Sequence, residues 1–519
     1  MRQWGEFRPV DCLVDKRCTM KADGRYSLPV AGKGTGFDRG YANRALVLLS
    51  LIAALVVYID TMLTPALPTI AREYRVDIAT TSLLISLYTV FGVAVMPVVG
   101  KLADIYGKRR VLLWTLAVYL VAATTTSFAP TFELVLVSRF FQGVGLGTFP
   151  LAFSLAREEF PRSLVPRAQG VISAVQVSGG AMGILVGAVV TTDYGWQANY
   201  HLALPCILVL TVLTFLLIKE SPNRKPGTRL DSIGAAWLGT SLTAIVLGLS
   251  QGAAWGWTSE AVLGLILGGL FAIVPLALYE RRMTEPVFDL RLLRQHNILI
   301  ANLIVVLYGI SLYVAFQAIT YYMQLPAPVG FGLSVFQTGL VLIPIVVVLL
   351  PVAIVVGTVI PRYGVKPFFY IGSVFAMAGF LLLSTAHSPE MVTGFLAVYA
   401  FGSGMLTVSI QNLLVLSIEP KEMGLGTSLN TSFRYIGQTL GAPIAGAILS
   451  TFVSVQVSGA YSFSLPSHPA FQICFYLAAG LFVVLGVTAA FAREVIGRNV
   501  PASLLESALP TPEGAGGSK

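Results

Sequence analysis

The sequence predicts an all-α polytopic membrane protein, and three observations carry that prediction. Of its 519 residues, 55% are hydrophobic and only 11% are charged, far below the roughly 25% charged residues of a soluble globular domain. Mean hydropathy is +0.77. The apolar residues gather into runs of about 20 or more, the length a helix needs to cross a bilayer, and long alternating strands of the kind a barrel requires are absent.

Fourteen such runs follow one another, at roughly 45–66, 80–100, 111–130, 132–156, 167–192, 200–218, 232–250, 260–279, 297–323, 335–359, 366–386, 390–417, 425–451 and 470–491. An even number puts both termini on one side. Placing them in the cytoplasm leaves every Lys and Arg there except Arg72 and Arg75 outside and Arg139 and Arg434 within the membrane, as the positive-inside rule expects. The formal charge of +9 therefore follows from topology and implies no nucleic-acid partner. Residues 1–43, without apolar periodicity, are expected to be a disordered cytoplasmic tail, and 493–519 a cytoplasmic C-terminal tail. Met1 to Val10 lacks the apolar core of a cleavable signal.

Several chemistries find no support in the residues. Cys12 and Cys18 sit in the tail and Cys206 and Cys474 in separate spans, so neither a disulfide framework nor a zinc signature is expected. Around Gly32-Lys33-Gly34 the phosphate-loop pattern fails, because Ser27 and Gly34 stand where that loop needs Gly and Ser or Thr. No cofactor, no metal and no enzymatic activity are expected. Energy is then expected from an ion gradient.

A repeat sets the architecture. After span 2 stands Gly100-Lys101-Leu102-Ala103-Asp104-Ile105-Tyr106-Gly107-Lys108-Arg109-Arg110, and after span 10 Gly357-x3-Pro361-x2-Gly364-x-Lys366, 257 residues later. Gly179, Gly183 and Gly187 in span 5 are echoed by Gly437, Gly441 and Ala445 in span 13. Spaced by four, each trio lines one helix face and admits close backbone approach. The expected design is a six-helix bundle over 44–220, a two-helix insertion with its flanking loops over 221–295, and a second six-helix bundle over 296–492.

These residues resemble the major facilitator superfamily, and within it the fourteen-span drug:proton antiporter branch. Gly100 to Arg110 is similar to that superfamily's loop motif G-x-L-a-D-x-x-G-r-k/r-r, and Ser138-Arg139-Phe140-Phe141-Gln142-Gly143-Val144-Gly145-Leu146-Gly147 resembles the span-4 motif of proton-coupled members. Asp60 followed by Ala66-Leu67-Pro68-Thr69-Ile70 looks like the branch's span-1 pattern, with Asp60 one place nearer Ala-Leu-Pro than usual. Gly424 to Arg434 resembles the span-13 segment. Departures are the absence of the usual Gly-Pro in span 5, where Gly179-Gly180-Ala181-Met182-Gly183 stands, and Gly195-Trp196-Gln197-Ala198 in place of G-W-R-W. The resemblance, over about 45–490, implies a major facilitator fold and alternating access, with the gate loop acting in conformational switching.

Only Asp60, Arg139 and Arg434 place charge deep in a span. Each such charge costs roughly 2.5 to 3.5 kcal/mol on insertion scales and needs a partner or a watery cavity. Asp60 lies about 9 Å and Arg139 about 10 Å from the outer ends of spans 1 and 4, so they are expected to pair. Low dielectric favours a neutral carboxyl and an adjacent guanidinium favours a charged one, which makes protonation switchable by movement. Asp60 is expected to carry a coupling proton that Arg139 gates. Arg434 has no acid in its own half. Gln317, Gln411 and Asn412, Asp60 across the cavity, or an anionic group on the substrate are its candidate partners, and Gln142 joins Arg434, Gln317, Gln411 and Asn412 as expected cavity lining. In the gate loop, Gly100 and Gly107 are expected to allow a tight turn, and Asp104 to accept hydrogen bonds from a helix N-terminus or from Arg109 or Arg110, beside Lys108.

The function expected is a multi-pass cell-membrane transporter, working as a monomer, that exports small amphipathic compounds against protons. A proton- or cation-coupled importer of a small organic nutrient is the alternative.

Overall fold

A computed structural model describes residues 19–20, 26–27, 39–160, 164–221, 231–283, 290–418, 423–458 and 461–494. Its helices are α1 (Arg39–Thr61), α2 (Leu67–Tyr74), α3 (Ile78–Tyr106), α4 (Lys108–Ser127), α5 (Phe132–Gln142), α6 (Thr148–Glu159), α7 (Val165–Tyr194), α8 (Gln197–Leu217), α9 (Ser232–Trp255), α10 (Glu260–Glu280), α11 (Leu290–Leu293), α12 (His296–Gln324), α13 (Val335–Val341), α14 (Ile343–Tyr363), α15 (Lys366–Leu383), α16 (Pro389–Ser417), α17 (Met423–Thr451) and α18 (His468–Ala490). Two antiparallel ladders complete it, β1 (Thr19–Met20) with β2 (Tyr26–Ser27), and β3 (Val453–Ser458) with β4 (Tyr461–Pro466). The first ladder and the start of α1 at Arg39 fall within the tail expected to be disordered, which corrects that expectation for these residues. The rest of that tail, and the C-terminal tail from residue 495, lie outside the described residues.

Among the described residues, thirteen helices are long and apolar enough to cross a membrane. Three of them are interrupted where the backbone demands it. Pro65 opens a 3-10 turn at Thr64–Ala66 between α1 and α2, and Pro344 stands at the start of α14 just after α13 ends. The glycine-rich run Gly143–Gly147 forms a 3-10 segment between α5 and α6. Helix α17 matches the others in length at 29 residues, but Asn430, Arg434 and Gln438 dilute its apolar character, and it is not one of the thirteen.

Helix starts follow their capping residues. Asp77 accepts from Thr80 N at 2.9 Å to open α3, and Ser334 and Gln337 form a reciprocal capping box on α13. The glycine trios pack as their spacing requires. A Cβ at Gly179, Gly183 or Gly187 would fall 2.3, 2.5 or 2.8 Å from the carbonyl oxygens of Ala54, Tyr58 and Met62, so α7 lies backbone to backbone on α1. Gly437 and Gly441 stand likewise against the Val306 and Ile310 carbonyls, at 2.4 and 2.7 Å, and bring α17 onto α12. Equivalent helices thus make equivalent contacts in α1–α8 and in α12–α18.

The two sets meet chiefly through α3 and α17, and α9 packs against both while pairing with α10. Hydrogen bonds joining the sets gather at the end of the bundle marked by Asp77. Gln324 Nε2 donates to Pro65 O at 2.7 Å, Phe336 N to Thr192 Oγ1 at 3.0 Å and Ala79 N to Ser450 Oγ at 3.3 Å. Midway, Thr439 and Thr89 share a buried bond of 2.8 Å. At the opposite end, marked by Gly107, the bonds described below run within one set.

Candidate functional site

Arg139 enters the structure from α5 and is fully buried. Its Nε and Nη1 are bound, while Nη2 is buried without a partner. Nε donates to Leu84 O at 3.2 Å, Nη1 to Ile59 O at 3.3 Å and to Gln142 Oε1 at 3.1 Å, and its guanidinium stands 4.5 Å above the Tyr88 ring. Gln142 sits one turn along α5 and is itself held, donating through Nε2 to Thr126 Oγ1 and to Ala122 O and accepting from Tyr200 Oη at 3.3 Å. Gln142 therefore positions Arg139 within the N-terminal set, and its expected place in a substrate cavity is corrected.

Asp60, near the end of α1, is 6% exposed. Among the described residues it forms no ion pair, and its Oδ1 is buried without a hydrogen-bond partner. The direct pairing expected with Arg139 is absent: Arg139 Nη1 donates to the carbonyl of Ile59, one residue earlier in the same helix, and Nη2 is left without a partner. Arg139 and Arg434 are nonetheless the two cations whose fields reach Asp60. Tyr88, Tyr119 and Tyr200 of the first set and Tyr313 and Tyr435 of the second complete its electrostatic surroundings.

The other set presents its polar groups unsatisfied. Arg434 of α17 has a buried Nε with no partner, and its guanidinium lies 5.5 Å from the Tyr435 ring. Gln317 of α12 is 1% exposed, yet neither its Oε1 nor its Nε2 finds a partner. It stands one turn along α12 from Tyr313, on the same face. Asn412 donates back to Val408 O at 2.9 Å and Gln411 is exposed. None of the four residues expected to meet Arg434 hydrogen-bonds it.

The Gly107 end holds a second constellation. Gly107 turns at φ +106 between α3 and α4, and Glu220, just beyond α8, accepts from Arg109 N at 3.1 Å and Arg110 N at 3.3 Å. The carboxylate thereby caps the positive end of α4. Lys108 pairs with Glu158 at 2.6 Å, and Arg109 donates to Phe215 O while its guanidinium lies 5.1 Å from that ring. In the second set Gly364 turns at φ +78 between α14 and α15, and Glu494, beyond α18, accepts from Val365 N at 2.8 Å. A Cβ at either glycine would land on the glutamate, 2.4 Å from Glu220 Oε1 and 2.1 Å from Glu494 Oε1. The acid that latches each loop is thus the glutamate after the last helix of its set. Neither Arg109 nor Arg110 bonds Asp104, and Gly100 makes no turn, since it lies inside α3 with open space where a Cβ would be.

The profile of the Major Facilitator Superfamily matches residues 49–442 and 303–511. The chain belongs to the Major Facilitator Superfamily. As a superfamily member it is a multi-pass integral membrane protein of a transporter family. It is similar to an uncharacterized MFS-type transporter, YvkA, of Bacillus subtilis (strain 168), at 26% identity over 85% of this chain and 96% of that one. The methylenomycin A resistance protein of Streptomyces coelicolor (strain ATCC BAA-471 / A3(2) / M145) is 27% identical over 90% of this chain and 92% of its own. The multidrug transporter protein MdtP of Bacillus subtilis (strain 168) is 25% identical, over 79% and 76%. Among solved structures, a bacterial homolog of the human lysosomal transporter Spinster superposes with a TM-score of 0.63 at 14% identity, over 88% of this chain and 96% of that one.

Within this superfamily fold, sequence reasoning had located Asp60, Arg139, Arg434 and Gln317 but missed the groups that hold or surround them. Glu220, Glu158 and Glu494 escaped it because they lie at helix ends, where charge is cheap and carries no signal. The tyrosines escaped because an aromatic in a span reads as apolar filling.

Proposed function

We propose that the chain is a proton-coupled exporter of small amphipathic compounds that works by alternating access. On this reading α17 is a fourteenth span, α9 and α10 are an insertion between two six-helix bundles, the termini and the Gly107 end are cytoplasmic, and the monomer is the working unit. Resistance and multidrug names among relatives at 25–27% identity support export. The observation that carries the coupling is Asp60: a buried carboxyl with an unpartnered oxygen, in the fields of Arg139 and Arg434, each of which keeps one buried nitrogen without a partner. A proton arriving on Asp60 removes the charge that both guanidinium groups feel, so substrate and proton compete through electrostatics rather than through one shared contact. The bonds that close the Asp77 end support an inward-facing arrangement.

The test is proton flux in proteoliposomes on addition of candidate solutes. Wild type is expected to exchange solute for protons in opposite directions, and Asp60→Asn to lose the coupled flux while still binding solute. Intact proton-driven transport in Asp60→Asn defeats the coupling role, and flux of both species in the same direction defeats export.

A further inference from the structure

The hairpin of α9 and α10 is the part of the fold that the transport site leaves without a task. Helix α9 packs against both sets, and at the Asp77 end side chains of the hairpin bond each of them. Ser250 Oγ, buried, donates to Ala79 O of α3 at 2.8 Å. Trp257 Nε1, in the turn after α9, donates to Thr451 Oγ1 at the end of α17 at 3.0 Å. Thr451 follows Ser450, whose Oγ accepts from Ala79 N at 3.3 Å. The hairpin therefore bonds the same stretch of α3 and of α17 that the two sets use to bond each other. Backbone packing closes this point as well, since a Cβ at Gly446 of α17 would fall 2.9 Å from Ala79 Cα.

The two attachments differ in kind. On α3 the Ser250 bond is buried, and Gly239 brings α9 close near the middle of that helix, where a Cβ would stand 3.1 Å from Ala94 Cβ. On α17 the Trp257 bond is exposed and comes from a turn. That turn is preset to deliver it. Gly256 turns at φ +87, and the indole folds back onto Gly252, where a Cβ would meet the ring at 2.5 Å. Ala79 N is itself one of the donors that the first turn of α3 cannot use internally, so water can replace Ser450 there when the sets part. Bonds that water can replace suit a contact made and broken repeatedly, whereas a buried bond suits one that is kept.

We propose that the α9 and α10 hairpin is the clasp of the Asp77 end, carried by the first set through α3 and hooking the second set through Trp257 and Thr451. This rests on the alternating-access reading, in which α3 and α17 part at that end in each cycle. Release of the indole then accompanies opening, while Ser250 stays bonded throughout.

The test is double electron-electron resonance on the full-length protein in nanodiscs. Nitroxides go on Tyr194→Cys and His387→Cys, exposed positions of the two sets at that end, with Cys12, Cys18, Cys206 and Cys474 replaced by Ala. Trp257→Phe keeps a ring and removes the donor, so the ratio of long to short distances should rise about two- to tenfold, the loss of one neutral hydrogen bond. Gly252→Ala displaces the indole and should raise the ratio likewise. Ser250→Ala should leave the ratio unchanged, because its bond does not cross the moving boundary. Gly446→Ala wedges a methyl between the sets and should lengthen the distance whatever the hairpin does. A response to Gly446→Ala with none to Trp257→Phe and Gly252→Ala overturns the clasp alone. A rise in Ser250→Ala with none in Trp257→Phe overturns the assignment of the hairpin to the first set. If Gly446→Ala also leaves the distance short, the sets do not part there, and the alternating-access reading falls together with the clasp. The measurement needs neither solute nor a proton gradient, so failure of the coupling role of Asp60 is read separately.

Discussion

Removing the carboxylate of Glu220 should destabilise the Gly107 end by a predictable amount. Helix α4 starts at a glycine that has no side chain to cap it, and Glu220 supplies the missing acceptor from a position 110 residues away in sequence. Capping by a side-chain oxygen contributes about 0.5–2 kcal/mol, and a negative charge at a helix N-terminus about 0.3–1 kcal/mol. The ion pair with Arg110, at 3.8 Å and with that side chain 61% exposed, adds little. Glu220→Ala should therefore cost about 1–2 kcal/mol. Glu220→Gln keeps an acceptor but loses the charge, and should cost about half as much. Glu494→Ala removes one bond, to Val365 N, and should cost about 1 kcal/mol. The two glutamates serve different sets, so the double variant should lose about 2–3 kcal/mol, the sum. Unfolding in a dodecyl sulfate titration followed by tryptophan fluorescence reads these values. If Glu220→Ala stays within about 0.5 kcal/mol of wild type, or if the double variant is no worse than the larger single, the paired-latch argument fails.

Three other outcomes follow from the geometry. Gly183→Ala and Gly437→Ala force a Cβ to 2.5 and 2.4 Å from the carbonyls of Tyr58 and Val306, and each should cost about 1–3 kcal/mol in the same unfolding assay. Gly100→Ala, inside α3 with nothing within 4 Å, should instead add about 0.5–1 kcal/mol. Gln142→Leu should lower stability by about 1.5–3 kcal/mol by removing the side-chain acceptor 3.1 Å from Arg139, which leaves the longer bond of 3.5 Å to the Tyr200 hydroxyl. Since Gln142 is fully buried and bonds Arg139, Thr126 and Tyr200, solute binding by equilibrium dialysis should be unchanged in that variant, and a pure affinity loss would contradict its role here.

Much of the fold was legible because a bilayer leaves few alternatives. Backbone groups in hydrocarbon must bond internally, so length and hydropathy locate helices, and the thirteen apolar spans coincide with stretches read from sequence. Glycine spacing told more than expected: a four-residue repeat fixed which face of α7 and α17 would meet another backbone, and only the partner helix, α1 or α12, had to come from structure. The gate loop was legible as an element but not as a bonding pattern. Gly107 announced the turn, whereas Asp104 drew attention as the one acid in a basic segment. The acid that bonds the loop lies 116 residues beyond Asp104 in sequence, and nothing in local spacing connects the two.

Arg139 and Arg434 looked alike in sequence, each a lone base in a span, and the structure separates them. Arg139 is bound to two carbonyls, an amide and a ring face, all from its own set. Its hydrogen bonds need not change when the sets move against each other. Arg434, Gln317 and Asp60, like Arg139 through its Nη2, have buried polar atoms with nothing to bond, Asp60 and Arg139 on one set and Arg434 and Gln317 on the other. Buried unpaired groups are costly in a static fold, so their gathering across the boundary between sets is best explained by a partner that comes and goes. A proton suits Asp60, and a solute with hydrogen-bonding groups suits Arg434 and Gln317. Gln317→Leu separates a static from a dynamic role: if the amide only fills space, stability and transport should both hold or improve, but if it meets solute, stability should rise while solute affinity falls.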